Sequence, residues 1–265
     1  KTEREVRCAL TPQQAALYAR IVDDLKRDLR DLPKDSVERR GAVLSSLLKL
    51  RQVCNHPAML TGDGNYHPRL SGKMQQLGAL AQEIAGNGEK LLVFTQFRML
   101  TDVLAGYLGG IFGQRGAVLH GDTPIAERQR LVDEFQRPEG PPFFVLSLKA
   151  GGTGLTLTAA SHVVHFDRWW NPAVEDQATD RAYRIGQKRR ILVHKFSCLG
   201  TIEARVAELL IEKRTVSRDL LPAPGGGEVN LCSLPDDELM RMISLDLTHV
   251  AEDLPVSKSE VASDH

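Results

Sequence analysis

The chain has 265 residues, which is enough for one large domain or two modest ones with a sizeable buried core. Hydrophobic residues make up 42% and charged residues 26%, a balance that argues against a disordered chain and against a long coiled coil. Lysine plus arginine and aspartate plus glutamate both number 34, so the net charge by itself predicts no partner.

Composition also bears on the cellular compartment of the protein and on metal binding. No apolar run approaches the roughly 18 residues needed to cross a bilayer, and the charged first residues do not resemble a signal peptide, so we expect no membrane partner. The four cysteines include no CxxC pair and the eight histidines show no metal-ligand spacing, so we predict a reducing compartment, four ordinary thiols and no metal site.

The charge is unevenly distributed. Residues 223–265 carry nine acidic and two basic residues, so the preceding part of the chain carries the matching excess of basic residues. A basic body with an acidic end is typical of a protein that meets a polyanion, although solvated surface charge would give the same pattern.

The first 60 residues read as helical. Thr11 and Pro12 combine an N-cap with proline at the first helical position, and apolar residues follow at helical spacing. A second helix is predicted over Ser36 to Val53, and His56-Pro57 ends it. Residues 60–69 are rich in turn formers and predict a linker.

After residue 70 the pattern changes to alternating helices and strands. Short apolar runs of the kind that form fully buried strands recur at 90–95, 117–120, 143–147, 162–166 and 191–197. Helices are predicted over 71–85, 100–108, 124–135, 172–184 and 201–221. This alternation predicts a parallel α/β sheet with helices on both faces, whose ligands gather at the carboxyl ends of the strands. A flexible break at 222–227 precedes a short helix near Asp236 to Leu245.

Two loops at predicted strand ends are unusual. One is polar and runs from Thr95 through Gln96 to Arg98. The other, residues 147–154, combines a serine, a lysine and three glycines, and glycines there let backbone amides approach a phosphate of a nucleotide or of a nucleic acid. Ordinary tight turning would also account for the glycines.

A third segment, residues 169–187, carries two arginines three positions apart. On a helix, Arg181 and Arg184 would share one face near its end, with Gln177 four residues before Arg181. Two guanidinium groups placed so can converge on one anion. The alternative is that they are surface ion-pair partners of Asp180 or Glu175.

Several catalytic motifs are absent from the sequence. There is no GxxxxGK[ST] phosphate loop, no magnesium-binding Asp-Glu strand end and no GxGxxG dinucleotide fingerprint. There is also no serine nucleophile elbow and no HExxH. We therefore expect that this chain alone cannot assemble a complete ATP site.

The three segments together resemble motifs IV, V and VI of the superfamily-two helicase-like ATPases, specifically those of the SWI/SNF family of double-stranded DNA translocases. LLVFTQF (91–97) resembles motif IV, LSLKAGGTGLTLTAA (146–160) motif V, and DQATDRAYRIGQ (176–187) motif VI, which follows the family's WWNPAVE. VRCALTPQQAALY (6–18) and LLKLRQVCNHPAML (47–60) are similar to the helical stretch between the two motor lobes. The wording of motifs V and VI is closer to bacterial members.

The resemblance implies a RecA-like fold and a set of roles. Arg181 and Arg184 would be arginine fingers, and Gln177, Gly154 and Asp180 would contact the nucleotide. ATP with Mg would be bound mainly by a first RecA-like lobe, which lies upstream and carries the phosphate loop. Contacts with the backbone of double-stranded DNA are implied for Thr95, Gln96, Arg98, Ser147, Lys149, Gly151, Gly152, Trp169 and Trp170.

The resemblance also implies a domain plan. We expect a helical inter-lobe segment over 1–70, a RecA-like second lobe over 71–221 and a flexible acidic extension over 222–265. The full-length protein would be a DNA-dependent ATP hydrolase that remodels a protein target, inactive as this piece alone, and cytoplasmic and nucleoid-associated in a bacterium or nuclear in a eukaryote. Two alternatives stay open, namely a non-catalytic DNA-binding or scaffold module and the second lobe of a strand-separating helicase.

Overall fold

The computed structural model describes residues 1–34, 36–148, 155–182, 190–217, 231 and 234–250. Its centre is a sheet of six strands, all parallel, in the order β1-β6-β5-β2-β4-β3. The strands are β1 (Thr2–Cys8), β2 (Leu91–Thr95), β3 (Ala117–Leu119), β4 (Phe143–Ser147), β5 (His162–His165) and β6 (Leu192–Cys198). The predicted parallel α/β fold is confirmed.

Nine α-helices surround the sheet in the described part of the chain. They are α1 (Pro12–Asp31), α2 (Val37–Asn55), α3 (Ala58–Thr61), α4 (Gly72–Gly86), α5 (Arg98–Phe112), α6 (Ile125–Gln136), α7 (Pro172–Thr179), α8 (Ile202–Ser217) and α9 (Asp236–Ile243). Two 3₁₀ turns occupy Pro68–Leu70 and Leu247–His249. None of the described helices is long and apolar enough to cross a membrane.

The central strands are mostly apolar because both of their faces are covered. Every residue of β2, β4 and β5 is buried. Successive side chains of a strand point to opposite faces, and accordingly Leu91 and Val93 belong to one hydrophobic cluster while Leu92 and Phe94 belong to another. The first cluster includes side chains of α1, α2, α4, α5, α8 and α9, and the second those of α6 and α7.

The start of α1 ties the helical segment to the sheet domain. Thr11 and Gln14 form a reciprocal capping box. The buried Gln14 amide also donates to the carbonyls of Val53 (2.7 Å) and Cys54 (3.0 Å), and its oxygen accepts from the Gly72 N–H (3.1 Å). One glutamine therefore joins the start of α1, the end of α2 and the start of α4.

The expectation that the first 60 residues are all helical is wrong at its start. Residues Thr2–Cys8 form an edge strand that pairs in parallel with β6, from Thr2 opposite Leu192 to Cys8 opposite Cys198. The charged sequence TEREVRC lacks the apolar run by which a strand is usually predicted. An edge strand needs little apolar surface when its charged side chains pair with those of the neighbouring strand. Lys195 on β6 contacts Glu3 at 2.8 Å.

The helix predicted over residues 172–184 was too long. Helix α7 ends at Thr179 and not near Arg184, and the chain then tightens into turns in which the Arg181 N–H donates to the Ala178 carbonyl and the Ala182 N–H to the Thr179 carbonyl. The Arg181 carbonyl accepts from the Leu157 N–H at 2.9 Å. Arg181 therefore lies beyond the helix end, and Arg184 lies outside the described residues, so the face that the two arginines share stays a prediction.

The described end of the acidic extension is folded. Helix α9 agrees with the predicted short helix, and its Leu239 and Ile243 are buried against the main core. Asp236 pairs with Arg39 of α2, and Arg205 of α8 donates to the carbonyls of Met242 and Ser244. Over 236–250 the chain therefore packs on the body and is not a free flexible end.

The strand order locates the natural ligand crevice. The chain leaves β2 for the far edge at β3, returns to β4 beside β2, and then crosses to β5 on the other side of β2. In open parallel sheets, ligands bind outside the carboxyl ends of the strands at the point where this order reverses. That point lies above the ends of β2, β4 and β5, which are followed by the three candidate segments.

Candidate functional site

Asp167, two residues beyond β5, organises the crevice. Its Oδ2 accepts from the Thr95 hydroxyl at 2.5 Å and from Asn55 Nδ2 at 3.3 Å, and its Oδ1 accepts from the Gln96 N–H at 2.9 Å. Burial raises the pKa of Asp167, and the opposing effects of Lys73 and the Thr95 hydrogen bond only partly offset this. The carboxylate thus joins α2 to the loops after β2 and β5.

Lys73 continues this cluster into the core. Its Nζ, fully buried, donates to Asn55 Oδ1 and to Glu203 Oε1, each at 2.8 Å. Burial alone would lower the pKa of Lys73, but the Glu203 carboxylate raises it above its ordinary value, so the lysine stays charged. We call Thr95, Asn55, Lys73, Asp167 and Glu203 the Asp167 network.

Three of the four cysteines, which the sequence predicted to be ordinary thiols, meet beside this network as free buried thiols. Cys8, Cys54 and Cys198 are fully buried, and the ligand atoms of Cys54, Cys198 and Glu203 all lie within 4.8 Å of one another. Burial raises the pKa of Cys54 well above its ordinary value, which keeps the thiol protonated. The Lys73 ammonium already supplies the positive charge that Glu203 faces there.

A second charged cluster lies at the β1 side of the sheet. Arg168 donates to Glu175 Oε1 (2.8 Å) and to Glu5 Oε1 (2.7 Å), while Lys195 contacts Glu3 at 2.8 Å and Glu175 at 3.7 Å. Burial opposes ionisation of Glu175, but Arg168 lowers its pKa. We call these five residues the β1 ion-pair network. Of the two acids named as alternative arginine partners, Glu175 is therefore engaged by Arg168 and Lys195.

Two predicted DNA contacts, Thr95 and Ser147, are buried. Thr95 is inaccessible to solvent and its hydroxyl donates to Asp167, and Ser147 is 4% exposed. The Thr95 carbonyl accepts from the Leu148 N–H at 2.9 Å, which joins the loops after β2 and β4. These residues are placed to shape the loops more than to present side chains at the surface.

Gln96 and Arg98 lie closer to solvent. The Gln96 side chain is half-buried and bonds the Arg168 carbonyl through Nε2. Arg98 is exposed and pairs with Asp122 at 2.6 Å, in the turn that follows β3. That turn is closed by a bond from the His120 N–H to the Thr123 hydroxyl at 3.1 Å.

The two tryptophans pack against different hydrophobic clusters. Trp169 packs against the cluster under α6 and α7, and its backbone N–H donates to Glu175 Oε1 at 2.8 Å. Trp170 packs against the other cluster, and the Arg51 guanidinium lies 4.9 Å from its ring centroid. Both rings are half-buried, so each combines a packing role with some exposed surface.

The described part of the third segment lies against Leu157, in the described end of motif V. Arg181 is 5% exposed, whereas Gln177 and Asp180 are exposed. The bond between the Arg181 carbonyl and the Leu157 N–H places motif VI directly beside the end of motif V. The other predicted site residues, Gly154, Lys149, Gly151, Gly152 and Arg184, lie outside the described part of the chain.

Sequence reasoning missed Arg51, Asn55, Lys73, Asp167 and Glu203. A signal existed for Asp167, which is a polar residue just past a buried strand, like Thr95. For Lys73 and Glu203 no pattern was available, because a lone lysine or glutamate near a helix start usually marks a solvated surface.

Comparison with known proteins shows which family the chain resembles. Residues 73–186 match the helicase conserved C-terminal domain. The putative ATP-dependent helicase/translocase YwqA of Bacillus subtilis is 39% identical over 251 residues, which are 94% of this chain and 26% of that protein. The chain spans about a quarter of the length of the curated relatives it matches.

Two solved structures agree in fold and sequence. The C-terminal domain of the Sulfolobus solfataricus SWI2/SNF2 ATPase superposes with a TM-score of 0.76 at 36% identity, over 92% of this chain and 98% of that one. The core of the same ATPase in complex with dsDNA gives 0.79 at 38% identity, over 92% and 50%. The chain belongs to the SWI/SNF family of superfamily-two helicase-like ATPases, and it is the C-terminal, RecA-like lobe of the ATPase core.

Proposed function

We propose that this chain is the second motor lobe of an ATP-driven double-stranded DNA translocase that remodels a protein target. The observation that carries the proposal is the meeting of three motif segments at the strand-order reversal, where Asp167 joins the loop after β2 to that after β5 and Leu157 joins motif V to motif VI. The match to a core solved with dsDNA supports DNA as the partner. A bacterial source and a nucleoid-associated location remain predictions.

Arg181 and Arg184 would act as arginine fingers when the first lobe docks. Guanidinium groups are permanent, forked cations that can meet the equatorial oxygens of the transferring phosphoryl group. Arg181 is held out of water, where its attraction for a phosphate is stronger than at an exposed position. Gln177 and Asp180, which are exposed beside it, and Gly154 would contact the nucleotide.

Among the crevice residues that the structure describes, Asp167 is poorly suited to bind magnesium. The Asp167 carboxylate already accepts three hydrogen bonds, from Thr95, Gln96 and Asn55, which leaves little capacity for a cation. We therefore assign ATP and Mg mainly to the first lobe. The contribution of this lobe is the pair of cations that arrives on closure, and hydrolysis is thereby coupled to a domain motion.

The DNA backbone would lie along the loops after β2, β4 and β5. In this scheme Arg98 and the Trp169-Trp170 segment face the duplex, together with Lys149, Gly151 and Gly152. The buried Thr95 and Ser147 and the half-buried Gln96 hold these loops in shape. Contacts to phosphates give affinity without sequence preference, as a translocase requires.

The test is Arg184→Ala in the full-length protein. Loss of an arginine finger costs about 10³ to 10⁵ in turnover, so DNA-stimulated ATP hydrolysis should fall about a thousandfold while DNA affinity stays nearly unchanged. The matched control is Arg190→Ala, an exposed arginine just before β6, which should leave turnover near that of the parent. Unchanged turnover in Arg184→Ala would remove the finger role, and appreciable hydrolysis by the isolated chain would contradict the shared site.

The two alternatives are separated by simple assays. A non-catalytic scaffold lobe predicts a full-length protein with no DNA-stimulated hydrolysis. A strand-separating helicase predicts release of a labelled strand from a duplex, whereas a duplex translocase displaces a third strand from a triplex and leaves the duplex intact.

A further inference from the structure

Arg51, near the end of α2, bridges the two loops that border the crevice. Its Nη2 donates to Gln96 Oε1 and to the Arg168 carbonyl, the latter at 3.2 Å. Gln96 Nε2 donates to the same carbonyl, which closes a triangle between α2, the loop after β2 and the loop after β5. A guanidinium has enough donors in a fixed plane to serve both partners at once.

The same guanidinium also lies over two aromatic rings. Its Cζ is 4.9 Å from the ring centroid of Trp170 and 5.8 Å from that of Phe97. The buried Trp170 Nε1 has no hydrogen-bond partner among the residues that the structure describes. Because no hydrogen bond from its own N–H orients the indole there, its position depends on packing and on the cation over its face.

Helix α2 gives Arg51 a rigid base. One turn later, Asn55 is bonded to both Asp167 and Lys73, and the Val53 carbonyl is held by Gln14. The arginine side chain therefore projects from a helix end whose position relative to the sheet is set by buried hydrogen bonds. A lysine could keep the charge, but its single ammonium could not stack on Trp170 and serve both oxygens.

We propose that Arg51 is a positioning residue for the DNA grip of this lobe, acting through the Gln96 side chain, the Arg168 carbonyl and the Trp170 ring. This inference rests on the proposed function, because it assigns the residue that holds the DNA-facing loops in the binding arrangement. Arg51 itself does not contact the duplex. Its removal weakens binding by letting the two loops move independently, while Arg181, whose carbonyl is held by the Leu157 N–H, stays in place.

The test compares Arg51→Gln and Arg51→Lys in the full-length protein, with double-stranded DNA as the probe. Loss of charge-assisted hydrogen bonds of this kind corresponds to a factor of about ten or more. The DNA concentration giving half-maximal stimulation of hydrolysis should rise about tenfold in Arg51→Gln and less in Arg51→Lys, with turnover at saturating DNA within about twofold of the parent. The matched control, Lys49→Gln, removes one exposed positive charge from the same helix and should shift the value less than twofold.

Salt dependence separates positioning from direct contact. Removing a phosphate contact lowers the slope of log affinity against log salt by about one. Arg51→Gln should leave that slope unchanged, and a second variant, Gln96→Ala, should make the effect of Arg51→Gln smaller, because the arginine acts through the glutamine. Thermal unfolding verifies that both Arg51 variants fold, and Arg51→Lys carries the test if Arg51→Gln does not.

Two results would overturn the role of Arg51. One is a half-maximal DNA concentration within twofold of the parent in both Arg51 variants. The other is a slope reduced by about one, which would make Arg51 a DNA contact. A parent protein that double-stranded DNA does not stimulate would instead overturn the proposed function, and the positioning role with it.

Discussion

The buried pair of the Asp167 network and the two outer acids of the β1 ion-pair network differ in how far water reaches them. Lys73 and Glu203 have side-chain exposures of 0% and 2%, whereas Glu3 and Glu5 retain 33% and 31% beside Lys195 and Arg168. Removing one partner from a fully buried pair leaves an unpaired charge in the core, whereas a charge that is a third exposed can turn to solvent. Ion pairs of similar length therefore differ in what they contribute. The Asp167 network fixes how the loops meet, whereas the β1 ion-pair network holds an edge strand on the sheet.

The largest effect should come from breaking the buried pair. Lys73→Met leaves Glu203 without its cation in the core, and we expect a loss of about 3 to 5 kcal/mol in the free energy of unfolding. Chemical denaturation monitored by circular dichroism measures it. The double variant Lys73→Met/Glu203→Leu should recover much of the loss, because no charge is then stranded. A loss below about 1 kcal/mol in Lys73→Met would show that water or another group reaches Glu203.

An intermediate effect should come from His165, which lies at the end of β5 between the two networks. Burial lowers the pKa of His165 to about 4, and its Nε2 bonds the Thr179 hydroxyl at 2.9 Å. Above pH 6.5 the ring is neutral in both states. As the pH falls from about 6.5 to about 4 the unfolded state takes up the proton first, so stability falls by about 3 kcal/mol and then levels.

The variant His165→Gln keeps a donor for Thr179 and cannot titrate. The difference in unfolding free energy between parent and variant should therefore shrink as the pH falls through this window. His249→Gln, at an exposed position near the described end of the chain, is the matched control and should keep the parent's profile. Parallel profiles for the parent and His165→Gln would contradict a buried neutral ring.

The smallest effect should come from the exposed side of the comparison. Burial alone would raise the pKa of Glu3, but hydrogen bonds from Lys195 and Lys1 lower it to about 2. The resulting stability is present above pH 4.5 and is lost as the pH falls from about 4.5 to about 2. Because Glu3 is a third exposed, we expect Glu3→Gln to cost about 1 kcal/mol or less at neutral pH. A cost as large as that of Lys73→Met would erase the distinction between the two networks.

Much of the fold could be predicted from local pattern. Strands such as β2 and β4 are short, apolar except for their last residue and followed by polar loops. Helix α4 follows its N-cap Ser71, whose side chain accepts from the Met74 N–H. The site was predictable only in outline. The end of α7 was missed because the Arg181 carbonyl is captured by Leu157, a contact between segments far apart in the chain.

The order of residues along the chain was enough to predict the alternation of strands and helices, the family motifs and the edge of the sheet at which they meet, because periodicity and strand-end position are local properties. Three further features arise only when distant segments pack together: the charged strand β1 joins the sheet, Thr95 faces inward, and Arg51 spans two loops. Those outcomes depend on which charges find partners once the chain has folded, since a buried charge is stable only beside a partner that the sequence order does not reveal.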